Sequence, residues 1–371
     1  MSTKESSLAA LSAAGTSIWL DDLSRDRLQS GSLKKLIDES HVVGVTTNPS
    51  IFSAAISGST LYKSDILALK AEGQSPSEIV AELTTSDVRN ACDLFLETFI
   101  ATNHVDGRVS IEVDPDLAYD TTATVERALY LSHVVNRPNV LIKVPATLDG
   151  LPAIEELTAR GISVNVTLIF SVERYKLVVD AYLRGLERRV ASGLGVNSIH
   201  SVASFFVSRI DATIDKQLDA ISANHSLSGK AAIANARLAY EAYLEVERSQ
   251  RWSALKAHGA NLQRPLWAST GVKDKAYSPT RYVVDLVAPE TVNTMPEATL
   301  DAVRSIGEVE SPLPNTVVDH IAEAHETFAQ LAAAGISMQK VVADLEDDGL
   351  AKFEAAWQEL LANVAAVTDG E

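Results

Sequence analysis

The sequence predicts a (β/α)8 barrel with additional helices, a single domain spanning residues 1–371. Three observations point to it. Short β-rich runs alternate with longer segments of helical pattern almost from end to end, about eight such repeats occur, and no Pro/Gly-rich linker divides them. The β-rich runs are nearly continuous in apolar residues, as parallel strands buried on both faces must be.

In chain order the expected strands are SIWLDD (17–22), VVGVTTN (42–48), RVSIEVD (108–114) and VLIKVPA (140–146). They continue with SVNVTLIF (163–170), VASFFVSR (202–209), PLWAST (265–270) and YVVDLVAP (282–289). Between them, segments such as AIEELTARG and YKLVVDAYLRGLERRVASG repeat apolar residues at helical spacing. A doubly wound open sheet is the rival architecture, but it usually carries a glycine-rich phosphate turn after an early strand. The closest candidate here, GLGVNS at 193–198, follows a helical segment instead. Residues 49–107 and 226–262 exceed a minimal barrel and read as helical insertions, and the tail from about 312 to 366 is also helical. Packing on the barrel wall is their plainer role; a lid or an oligomer contact is the alternative.

Composition narrows the function. Hydrophobic residues make up 46% and charged residues 22%, the balance of a folded protein rather than a disordered one. A net charge of -17 opposes general binding to nucleic acid or an anionic membrane, which needs a basic surface. It leaves room for a small phosphate ligand held by a few local cations. Cys92 is the sole cysteine, so no intrachain disulfide forms. The opening MSTKESSLAALSAAGTS lacks the apolar core of a signal peptide, and no run approaches the ~18 apolar residues of a membrane span. The expected location is the cytoplasm. The eight histidines are scattered, the nearest pair being His320 and His325, so no metal site is expected.

In a barrel enzyme the chemistry sits at the C-terminal ends of the strands. Those ends carry Asp21, Asn48, Glu112, Lys143, Asn165 with Thr167, Ser204 with Arg209, and Ser269. Lys143 interrupts the apolar run VLI-K-VP, where a strand points it into the barrel. A lysine removed from water loses stabilisation of its charged form, and the free amine attacks carbonyls to form an imine. A salt-bridged or snorkelling lysine is the plainer reading of that residue alone. Its company argues for chemistry: Glu112 and Asp21 supply carboxylates for a proton shuttle and for a hydroxyl beside a breaking C–C bond. Asn165 and Thr167 alternate on one strand and so face one side, where they hold a water or a substrate hydroxyl. Arg209 with Ser204, and Ser269 followed by Lys273, offer charged and hydroxyl donors to a phosphate. Pairing of Arg209 with Asp211 is the alternative for that arginine.

At these residues the sequence resembles the transaldolase family. The matching pieces are LDD at Asp21, TTNPS (46–50), SIEVDPDLAYD (110–120), VLIKVPAT (140–147), VNVTLIFS (164–171), SFFVSRID (204–211) and WAST (267–270). The resemblance implies a Schiff base on Lys143, with Asp21 as acid/base for C–C cleavage and Glu112 working through a water held by Thr167. It implies Asn48, Asn165 and Ser204 on donor hydroxyls, Arg209 and Ser269 on phosphate, and no metal or organic cofactor. LDD also offers Asp22, which a strand turns to the opposite side. Many relatives place an arginine two residues after the serine; here that position is Gly271, and Lys273 is the substitute cation. The long 226–262 insertion resembles the larger bacterial and plant type. Sugar phosphates are the implied partners, with the protein a monomer or homodimer. Two activities share this site: transfer of a dihydroxyacetone unit between sugar phosphates, and an aldolase that releases free dihydroxyacetone. A catalytically silent scaffold barrel is a third reading, against which the lysine and both acids stand.

Overall fold

The computed structural model describes residues 3–221 and 225–368. Ten strands are present among the described residues: β1 (Thr3–Ser6), β2 (Thr16–Leu20), β3 (Val42–Val45), β4 (Arg108–Glu112), β5 (Val140–Pro145), β6 (Val164–Ile169), β7 (Ser201–Phe206), β8 (Arg264–Ala268), β9 (Thr291–Met295) and β10 (Glu308–Ser311). Strands β2 to β9 pair in parallel, and β9 closes on β2 to complete a barrel. Strands β5 to β9 are buried at every position, so helices outside and side chains inside both exclude water from them.

The eighth barrel strand differs from the sequence expectation. YVVDLVAP is not a strand: Arg281–Val284 is a short helix, and the strand is Thr291–Met295. Tyr282, Val283 and Leu286 to Ala288 are apolar because they pack against the barrel. The strand TVNTM hides most of its polarity in internal hydrogen bonds, although Asn293 Oδ1 has no partner. Thr291 and Thr16 both donate to the Ala288 carbonyl (2.6 and 3.0 Å), and the Asn293 amide donates to the Tyr282 carbonyl (2.9 Å). A second unforeseen element is the antiparallel ribbon of β1 and β10, whose short polar sequences give no apolar signal.

The insertion at 49–107 folds into the helices Pro49–Ser57, Lys63–Ala71, Pro76–Leu94 and Leu96–Ala101, and that at 226–262 into Ala231–Glu247 and Gln250–Ala257. Cys92 lies fully buried in one of them, and burial pushes its thiol up, well above the usual range. The tail forms Ile321–Ala333 and the long helix Met338–Ala366. That last helix packs along Pro49–Ser57, Pro76–Leu94 and Ser208–Ala220. It therefore crosses the end of the barrel where the strands finish. No helix among the described residues is long and apolar enough to cross a membrane.

The opposite end of the barrel is tied by matched charges. Asp106 accepts from Ser17 Oγ (2.6 Å), Trp19 Nε1 (3.0 Å) and Arg264 Nη2 (2.9 Å), while Arg264 Nη1 donates to Ser17 Oγ (2.9 Å). Arg264 and Asp106 are both nearly buried, which makes the network costly to break.

Candidate active site

Strand register brings the chemistry together. Glu112 on β4 lies opposite Lys143 on β5, and Lys143 lies opposite Asn165 on β6. In-register neighbours in a parallel sheet point to one side, so the three share the barrel interior. Lys143 Nζ donates to the Thr47 carbonyl at 2.8 Å and stands 3.3 Å from Glu112 Oε2. Both side chains are almost wholly excluded from solvent, at 5% and 6% exposed. The carboxylate oxygen is near the ammonium without being aligned for a hydrogen bond, so it retains an unused acceptor. Burial pushes the Glu112 carboxyl up, Lys143 pulls it back, and Asp21 adds a smaller upward push.

On the other flank, Thr167 Oγ1 is buried without a hydrogen-bond partner. The register of β6 slips between Val166 and Ile169, and Leu168 takes a left-handed φ of 61°. Such a bulge re-aims the adjacent side chains, a common device beside active sites. An unmatched acceptor on β4 and an unmatched hydroxyl on β6 thus flank the lysine, which suits a bridging water.

Asp21 follows β2 directly. It accepts from Thr46 Oγ1 at 2.6 Å, and Thr46 also shares a 2.6 Å hydrogen bond with Thr294. Burial raises its carboxyl above the ordinary value, with Lys143 and then Thr46 acting against that rise. Asp22 points elsewhere and pairs with Arg27, which also reaches Glu297.

A cavity of about 190 Å³ opens over this centre. Asp21, Asn48, Lys143, Thr167, Ser204, Arg209, Ser269 and Lys273 line it. Two of the expected site residues stand behind that wall. Glu112 backs the lysine, and Asn165 has both amide atoms engaged, donating to Ser110 Oγ (3.0 Å) and accepting from Ser204 Oγ (2.7 Å). Asn165 therefore orients Ser204. Asn48 caps the helix Pro49–Ser57 through the Ile51 N–H (3.0 Å), which fixes its side chain at the cavity edge.

Arg209 marks the anion-binding end. Its guanidinium stacks 5.3 Å from the Phe206 ring centroid, and Nη1 is buried with no partner. Burial depresses its pKa, opposed by Asp348. The alternative partner Asp211 is turned away, accepting from Ala232 N–H (2.8 Å) and the Tyr282 hydroxyl (2.7 Å). An arginine with a buried donor that no protein group takes up is suited to a phosphate or carboxylate. Ser269, at a left-handed φ of 55°, turns the chain past β8 and shares a 3.0 Å hydrogen bond with Ser208. Gly271 lines the same wall, where an added Cβ would meet Pro296 only at 3.5 Å, so a larger residue fits.

Among the lining groups that sequence reasoning does not single out are Thr46, Thr294, Pro296 and Phe353. Thr46 lies inside TTNPS, beside the chosen Asn48. Thr294 and Pro296 went with the misplaced strand, and Phe353 arrives from the distant C-terminal helix, for which local sequence carries no signal.

Residues 18–364 match the family described as Transaldolase/Fructose-6-phosphate aldolase. A protein named Transaldolase from Mycolicibacterium smegmatis is 58% identical over 356 residues, covering 95% of this chain and 95% of its own. One of the same name from Mycobacterium tuberculosis (strain H37Rv) is 54% identical over 372 residues, 100% of this chain and 99% of its own. Another, from Renibacterium salmoninarum, is 57% identical over 356 residues, 95% of this chain and 94% of its own.

Proposed function

The chain belongs to the transaldolase/fructose-6-phosphate aldolase family, and from that premise we propose that it is a transaldolase. It moves a dihydroxyacetone unit from sedoheptulose 7-phosphate to glyceraldehyde 3-phosphate, giving erythrose 4-phosphate and fructose 6-phosphate, and runs in reverse. The observation that carries this reading is the buried Lys143–Glu112 pair, 3.3 Å apart, beside a cavity that also holds the unpaired Arg209.

Arg209, with Ser269 and Lys273, binds the sugar phosphate, while Asn48 and Ser204 hold donor hydroxyls. Lys143 Nζ attacks the ketone carbon, and Glu112 moves the protons of carbinolamine formation and dehydration through a water held by Thr167. Asp21 takes the proton of the hydroxyl beside the breaking C–C bond, and the aldose leaves as the electron pair moves to the iminium nitrogen. The resulting enamine attacks the incoming aldehyde, and Asp21 returns the proton to its oxygen. Hydrolysis then frees the ketose and the amine. The protonated imine is itself the electron sink, so the sequence needs no metal or organic cofactor. Release of free dihydroxyacetone is the second reading; Phe206 places an aromatic ring without a hydroxyl at the cavity wall, which favours transfer. The setting we assign is the non-oxidative pentose phosphate pathway in the cytoplasm, with one barrel per active site in a monomer or homodimer.

Borohydride trapping with fructose 6-phosphate, followed by intact mass and peptide mapping, tests the reading. We expect a stable dihydroxyacetone adduct on Lys143. Folded protein with substrate and no adduct would remove the imine mechanism and the function with it.

A further inference from the structure

We propose that Phe353, on the C-terminal helix Met338–Ala366, is the wall that keeps bulk water, as a proton donor, from the Lys143 enamine and thereby biases whether the three-carbon unit is transferred or lost. This inference rests on the imine chemistry proposed above.

Among the residues lining the cavity, Phe353 alone comes from outside the barrel strands and the segments that directly follow them. Its ring centroid lies 5.9 Å from Lys143 Nζ, and the side chain is buried. It belongs to a row spaced four residues apart along one helix face, each member set over one functional group. Gly349 is first: a Cβ there would approach Arg209 Nη1 to 3.4 Å and Leu168 Cδ2 to 3.2 Å, so the backbone rests close against the anion-binding arginine. Phe353 follows over the lysine. Trp357 is third, and lines a small adjoining hollow together with Glu112 and Thr47.

The helix is fastened near both ends. Arg174 donates to the Ala146 carbonyl (2.6 Å), three residues beyond Lys143, and to Glu346 (3.2 Å) near the start of the helix. Lys70 Nζ donates to the Ala365 and Val367 carbonyls (2.7 and 2.6 Å) at its end. The aromatic wall is therefore tied to the strand that carries the lysine.

The chemistry assigns the wall its task. After the aldose leaves, the enzyme holds an enamine. Losing the unit requires a proton on the enamine carbon to regenerate the iminium, then water addition to its C=N carbon with loss of a proton. The carbinolamine then expels the amine. The sum consumes one water and releases dihydroxyacetone and free Lys143. Productive transfer needs the same carbon to meet an aldehyde first. Thr46, Asn48, Thr167 and Ser204 bring water-holding groups to the same wall, where Phe206 is the other aromatic ring, so the added apolar face of Phe353 over the lysine biases the race toward the aldehyde.

The test measures dihydroxyacetone released per unit transferred, with fructose 6-phosphate as donor and limiting acceptor aldehyde. We expect Phe353→Ala to raise that ratio about tenfold, the change that about 1.4 kcal/mol in relative barrier gives, with the borohydride adduct on Lys143 retained. Phe353→Leu, which keeps an apolar side chain and the helix packing, is expected to fall between wild type and Phe353→Ala. Should Phe353→Ala not fold, a raised ratio in Phe353→Leu carries the test. Val364→Ala, buried on the same helix about three turns away, controls for general loosening and is expected to leave the ratio unchanged. The inference is overturned if the Phe353 variants form the adduct with an unaltered ratio, or if Val364→Ala raises it equally. Absence of the adduct in wild type would instead overturn the proposed function.

Discussion

At the N-terminal end of the barrel Asp106 accepts three hydrogen bonds and faces Arg264, both of whose terminal nitrogens donate; at the C-terminal end Asp21 accepts one, from Thr46. Arg264 and Arg209 contrast in the same way, the first bonded to Ser17, Val105 and Asp106, the second with a buried nitrogen that has no partner. Similar residue types thus serve as a tie at one end and as a receptor for an anion at the other. An unmatched atom alone does not make a site. Arg108 Nη1 and His200 Nε2 also lack partners near the tied end, where burial first and then Arg108 push His200 down to about 2 and so keep it neutral. What distinguishes the C-terminal end is that an unmatched acceptor and an unmatched hydroxyl flank a buried amine.

The sharpest break of this contrast is Lys143→Met, which removes the buried amine assigned to the imine. Transfer should fall by more than about 10⁴-fold in a coupled assay, with no borohydride adduct. Asp21→Asn is expected to cost about 10²- to 10⁴-fold in kcat while the adduct still forms, and Asp22→Asn less than about threefold. A full loss in Asp22→Asn would reverse that assignment. At the tied end, Arg264→Met leaves Asp106 buried without its cation. Urea unfolding should show a loss of about 3–5 kcal/mol, with kcat/KM per folded molecule unchanged. Arg209→Met should do the opposite, raising KM for phosphorylated donors about 100-fold with no loss of stability.

The smallest effect lies two residues from Arg209. Asp211, buried chiefly at the cost of its own hydration, is raised to about 6 from 3.8. The folded protein therefore holds a proton that the unfolded chain releases, and the stability this confers is full below the unfolded value and lost as pH rises through about 6. Between pH 5 and pH 7 this group should remove about 1 kcal/mol of stability, a slope read as wild type minus Asp211→Asn in urea melts. No difference in slope would mean the carboxyl ionises as it does in solvent.

Much of this arrangement was legible before the coordinates, for a physical reason. A strand buried on both faces leaves few explanations for an isolated polar side chain, so Lys143 in VLIKVP and Glu112 in VSIEVD announced themselves. That logic fails at β9, because Thr291 and the Asn293 amide nitrogen are buried yet bonded to the Ala288 and Tyr282 carbonyls, partners that a local apolar pattern does not reveal. It also gave YVVDLVAP a strand it does not form, since helices against a barrel can be as apolar as strands within it. Alternation with Thr167 places Asn165 on the barrel-interior side of its strand. Alternation gives the side of the strand but not the depth, and here the deeper residue supports Ser204. Phe353 was invisible because its meaning depends on a contact between residues more than 200 apart in sequence.

The burial of Cys92 has a practical consequence. The only thiol in the chain is sealed inside the helix Pro76–Leu94 and held strongly protonated, so the native surface is blank to maleimides and iodoacetamides. A cysteine placed at the exposed Gln358 on the C-terminal helix would be the single labelled position in an otherwise unmodified molecule. A fluorophore there would report, in real time and without competing signal, how that helix responds as a sugar phosphate enters and leaves.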